Sequence, residues 1–81
     1  MTIITYGLLD RALRAWGLIR REKDNSVIYF DEGDPVIVYP QYSDNEVVPP
    51  RYIVLARRQV IERGLAQNQK EFEQALERAA A

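Results

Sequence analysis

Between residues 24 and 39 the chain carries two apolar runs, 27–30 and 36–39, on either side of the turn sequence Asp31-Glu32-Gly33-Asp34-Pro35. Valine and isoleucine are stiff at χ1, and tyrosine and phenylalanine are broad and flat, so both kinds suit a pleated surface. Aspartate, glycine and proline supply the reversal between the two runs. A β-hairpin is thus written into the middle of an 81-residue chain, and a chain of that length has room for one core around it.

A further strand is expected at residues 18–23, ending at Asp24-Asn25. Asp and Asn tolerate the positive φ of a two-residue hairpin loop. Such a loop sets Lys23 opposite Ser26, Arg20 opposite Tyr29 and Ile19 opposite Phe30. The second hairpin, turning through residues 31–35, sets Tyr29 opposite Ile37 and Val27 opposite Tyr39. Side chains alternate along a strand, so Ile19, Ile28, Phe30, Val36 and Val38 share one face. Arg20, Glu22, Val27, Tyr29, Ile37 and Tyr39 share the other. The first set is expected inward and the second outward, because each tyrosine hydroxyl needs water or a partner. Arg21 then falls inward and has to snorkel from an edge, or the assignment is off by one residue.

Helical spacing accounts for most of the remainder. Leu8, Leu9, Ala12, Leu13 and Trp16 recur at intervals of three and four, with Gly17 as the stop. Asp10 and Arg14 form an i,i+4 pair on the other side of that helix. Residues 1–6 are rich in β-branched side chains and are expected to be extended, frayed or laid on a sheet edge. Residues 40–50 form a polar loop ending in Pro49-Pro50, which prepares a helix start. That helix is expected at 51–63, with Ile53, Ala56 and Val60 inward, Arg51, Val54, Arg58 and Glu62 more exposed, and Gly64 as its stop. Asn68 and Glu71 resemble a capping box opening a third helix, with Phe72, Ala75, Leu76 and Ala79 as its apolar stripe.

Composition narrows the chemistry. The chain has no cysteine and no histidine, which excludes disulfides, thiolate chemistry and the usual zinc sites. The net charge is −1, and the cations are nine arginines and two lysines, so no broad cationic field draws nucleic acid. Asp31, Glu32 and Asp34 cluster at a turn, but they lack the spacing of a calcium loop and read as solvated acids. No metal and no cofactor are expected. No apolar run reaches the ~20 residues of a membrane span. The N-terminus lacks the basic and apolar regions of a signal peptide, so a cytoplasmic location is expected.

The expected order, helix, three antiparallel strands, helix, is that of the double-stranded-RNA-binding-like fold, with a helix added. Several short motifs resemble the HicA family of small toxin-like proteins. These are Leu8-Leu9-Asp10 through Trp16-Gly17-Leu18, Asn25-Ser26 before an aromatic strand, and the strand leading into Val38-Tyr39-Pro40. Glu46-Val47 with Pro49, and Val60 with Gly64-Leu65, complete the set. The resemblance covers residues 8–66 of a single domain spanning 1–81, and the helix at 68–80 is similar to additions in uncharacterised bacterial relatives of that family. It implies a ribonuclease in a toxin–antitoxin setting, with a catalytic histidine after a Gly-Ser pair. This chain has Asn25-Ser26 followed by Val27, which cannot move a proton. Of that motif only Ser26 carries over, and a turn hydroxyl bonded to nearby backbone explains it equally.

Val27, Tyr29, Ile37 and Tyr39 are therefore the leading interface candidates, since an outward face is normally polar. Three coverings are open: the C-terminal helix through Phe72 and Leu76, a second copy or protein partner, or bases stacked on Tyr29 and Tyr39 beside Arg20. Arg20, Arg21, Lys23 and Ser26 are candidates for contact with RNA or an acidic partner, or else a charged edge that deters aggregation. The reading is an α+β domain acting as a non-catalytic interaction module. The alternative is RNA binding or a residual ribonuclease. On this assignment Phe30→Ser unfolds the domain, whereas Tyr29→Ser weakens association alone.

Overall fold

The computed structural model describes residues 3–81. Its elements run in the order α1 (Tyr6–Ala15), β1 (Ile19–Lys23), β2 (Ser26–Asp31), β3 (Asp34–Pro40), α2 (Pro50–Glu62) and α3 (Gln69–Ala80). The three strands form one antiparallel sheet in the order β1-β2-β3. This is the expected α-β-β-β-α order with the added C-terminal helix.

Local chemistry sets the ends of the helices. The Thr5 side chain accepts the Leu8 N–H at 3.3 Å and starts α1. At its other end Gly17, at φ +92, lets its own N–H reach Arg14 O and lets Leu18 N–H reach Leu13 O. The same pair of bonds recurs after α2, from Gly64 to Ile61 and from Leu65 to Val60. In each case a left-handed glycine closes the helix and turns the following leucine back toward the core. Pro50 occupies the first turn of α2, where an amide would lack a partner anyway. Asn68 accepts the Glu71 N–H at 3.0 Å, and Glu71 accepts the Gln67 N–H at 2.9 Å, a variant of the expected capping box.

The strand register follows the turns. Asp24 and Asn25 sit at φ 51 and 63, and Lys23 pairs with Ser26, Arg20 with Tyr29 and Ile19 with Phe30. Val27 pairs with Tyr39 and Tyr29 with Ile37, as expected. The second turn is tighter than the sequence suggests, because Glu32 and Gly33 form a two-residue loop at positive φ and Asp31 pairs with Asp34. Phe30 then pairs with Pro35, which leaves Val36 as an extra residue beside a proline that cannot donate to the ladder.

The extended start corrects one expectation. Met1 and Thr2 lie outside the described residues, but from Ile3 onward the segment does not join the sheet. Thr5 bridges Val47, Val48 N–H donates to Ile4 O, and Tyr6 N–H donates to Glu46 O, so the segment pairs with the loop before α2. Helix α2 packs on β3, α1 meets the same side of the sheet through Asp10 on Tyr29 and the shared core, and α3 packs on both helices. Trp16 of α1 stacks on Phe72 of α3 with ring centroids 5.7 Å apart. Among the described residues no helix is long and apolar enough to cross a membrane.

Candidate interaction surface

The register was legible, but the inward and outward faces are exchanged. Val27 is 0% exposed, and Tyr29, Ile37 and Tyr39 are each 1% exposed. These four are the floor of the core beneath α1 and α2, so they cannot form an exposed interface. Ile19 and Val38, expected inward, are 56% and 54% exposed. Phe30 and Ile28 are half-buried beside them. The expected contrast between Phe30→Ser and Tyr29→Ser therefore reverses, because removing Tyr29 empties the core.

The physical reason is that the tyrosine hydroxyls find partners inside. Tyr29 Oη donates to Asp10 Oδ1 at 2.6 Å and lies 2.8 Å from Tyr42 Oη. Arg20 Nε in turn donates to Tyr42 Oη at 3.2 Å. Tyr39 Oη donates to the Tyr52 carbonyl at 2.8 Å. No buried side-chain polar atom among the described residues lacks a partner. Burial first, and then the bonds to Asp10 and Tyr42, push the Tyr29 phenol well above its ordinary value; burial does the same for Tyr39. Both rings are therefore neutral hydrogen-bonding groups rather than nucleophiles. The hydrogen bond to Tyr42 is also the main cause that raises the Arg20 guanidinium above its ordinary value.

The basic candidates are separated by the same exchange of faces. Arg20 lies on the helix side and is committed to Asp10 at 3.7 Å, Glu22 at 3.3 Å and the face of Tyr42. Arg21 and Lys23 lie with Ile19 on the open side, where both are exposed. Ser26 is half-buried at the first hairpin, paired with Lys23 and Pro40. Of the turn acids, Asp31 accepts Arg63 Nε at 2.6 Å, and Asp34 lies 3.6 Å from the same guanidinium, which ties α2 to the second turn. Among the described residues no three acidic side chains converge on a point that would hold a metal ion.

The open face reads as three cross-strand rows. Ile19, Phe30 and Pro35 lie nearest the second turn, Arg21, Ile28 and Val38 lie in the middle, and Lys23, Ser26 and Pro40 lie at the far end. A shallow open groove of about 430 Å³ runs over β1 and β2, between Ile19, Ile28 and Phe30, with Arg21 and Lys23 along its margin. Its chemistry is the burial of apolar carbon with charges at the rim. One signal in the sequence pointed to this face: Arg21 had no acceptor inside, whereas Arg20 and Glu22 could pair with each other. Asp10 was the residue missed, because nothing local distinguishes an i,i+4 partner of Arg14 from an acceptor for a distant tyrosine. Comparison with protein-family models, with curated proteins and with solved structures returns no match.

Proposed function

We propose that this chain is a non-catalytic protein-docking module of the cytoplasm that works through the open face of its sheet. The observation that carries this reading is the apolar group of exposed Ile19 and Val38 with half-buried Ile28 and Phe30, contiguous across three strands on the face turned away from the described helices. A sheet face turned to water is ordinarily polar, and this one carries four apolar side chains across its three strands. The resemblance to HicA-like domains fits the same reading. Where the resemblance would put that family's histidine stands Val27, buried in the core, which supports a non-catalytic role.

A photo-crosslinking residue at Val38, compared with one at Val54 on the exposed side of α2, tests the reading. A discrete protein adduct from position 38, absent from position 54 and lost when Ile19→Glu is added, supports it. The competing outcome is RNA. Retardation of RNA at low salt that disappears in Arg21→Glu/Lys23→Glu, with no protein adduct at Val38, would replace protein docking with nucleic-acid binding.

A further inference from the structure

We infer that the groove between α1 and α3 binds a small monocarboxylate with an apolar body, its carboxylate held by Arg11 and Arg78 and its hydrocarbon laid on Trp16 and the alanines beside it. This site is separate from the sheet face and does not depend on the docking reading. The groove has a volume of about 310 Å³, with Ala12, Ala15 and Trp16 on one side, Ala75 and Ala79 on the other, and the two arginines completing its lining. It exists because of side-chain size. The helices meet at buried Ala12 and Ala75, and the short side chains of Ala15 and Ala79 do not fill the space further out. Stacking on Phe72 at 5.7 Å fixes the Trp16 ring as one wall.

The charges around this groove are unbalanced. Arg11 Nε donates to the Ala79 carbonyl at 3.2 Å, which sets its guanidinium over the last turn of α3, beside Arg78. Neither arginine pairs with an acid among the described residues. The acids of the two helices are turned elsewhere. Asp10 accepts the Tyr29 hydroxyl, Glu71 accepts the Gln67 N–H, and Glu73 and Glu77 line a different groove with Ile4 and Leu76. The arginines also complement the negative end of the α3 dipole, but that role occupies only one of their N–H donors.

The same helix end sets the charge of the ligand. A doubly charged phosphate would face the last carbonyls of α3 and gain nothing from the alanine floor. A single carboxylate matches the planar fork of a guanidinium. An apolar body attached to it removes the alanines and the indole from water. A groove of this size is at the small end of ligand sites, so a body of about six to ten carbons fits it.

The test uses octanoate as the probe, octanol as its uncharged counterpart and inorganic phosphate as the rival anion. Each is titrated into the isotope-labelled full chain at low salt, and amide and indole N–H chemical shifts are followed. Octanoate should shift the Trp16 indole N–H and the Ala15 and Ala79 amides saturably, with Kd on the order of 1 mM for a ligand of about ten non-hydrogen atoms in a half-open site. Octanol should bind at least about tenfold more weakly, and phosphate should leave these signals in place. Arg11→Gln/Arg78→Gln removes the charge, and Ala15→Leu fills the groove without altering the charge. Each should weaken octanoate at least about tenfold, with circular dichroism showing both folded. Octanoate that leaves the three signals unmoved, binds the double variant equally well, or shifts the Ile28 and Phe30 amides instead overturns the inference. Octanol or phosphate that matches octanoate at these signals overturns it as well.

Discussion

The Tyr29 hydroxyl donates to Asp10 Oδ1 at 2.6 Å, joining the central strand of the sheet to α1 across 19 residues of sequence. With Tyr42 Oη at 2.8 Å and Arg20 behind it, the bond lies in a relay from guanidinium to carboxylate. Tyr29→Phe removes the hydroxyl from this relay and leaves Asp10 and Tyr42 short of a partner. The expected cost is about 1–3 kcal/mol, more than for Tyr39→Phe, which gives up one neutral bond worth about 0.5–1.5 kcal/mol. Urea midpoints of the two variants, at unchanged slope, measure the difference.

Alkaline pH should destabilise the fold. The phenols of Tyr29 and Tyr39 are raised above their ordinary value of about 10 by burial, so the folded chain keeps both protons where the unfolded chain loses them. Stability is therefore fully present below about pH 10 and falls as pH rises above it, by up to about 1.4 kcal/mol per pH unit for each tyrosine. Denaturant midpoints measured between about pH 8 and 11, with phenolate absorbance followed in parallel, check the sign. A midpoint that stays level while phenolate appears would show that these rings are accessible.

Opposite faces of one strand should respond differently to the same kind of change. Val38→Asp places a charge on a position 54% exposed and is expected to shift stability by less than about 1 kcal/mol. Ile37→Asp, its neighbour at 1% exposure, buries an unpaired carboxylate and should unfold the domain. Thermal melts of the two proteins decide whether the faces are as described.

Trp16 reports on α3 because it is the only tryptophan in the chain and stacks on Phe72. Phe72→Ala should cost about 3–5 kcal/mol by emptying a buried ring position, and the indole emission should shift to the red under native conditions. An unchanged emission maximum would mean that α3 is not docked on α1 through this pair.

Gly64→Ala isolates a backbone effect. Nothing lies within 4 Å of the added methyl, so the loss comes from holding alanine at φ +76 and is expected to be about 1 kcal/mol. A denaturation curve displaced by several times that amount would point to a second role for the α2 terminus.

The amino-acid sequence alone determined what depends on near neighbours. Leu8, Leu9, Ala12 and Leu13 specify the buried side of α1, Gly17 and Gly64 close their helices, and Asp24-Asn25 sets the register of β1 against β2. These outcomes follow from steric limits on φ and from hydrogen bonds spanning a few residues, and such information is written locally. Which face of the sheet points inward is different in kind. Both faces of β2 and β3 are apolar, so alternation defines two sets without choosing between them. The choice came from Asp10, Tyr42 and the Tyr52 carbonyl, which reach the tyrosine hydroxyls only after the chain has folded and make it favourable to bury those rings. The same long-range contacts left Ile19, Ile28, Phe30 and Val38 on the face turned away from the helices.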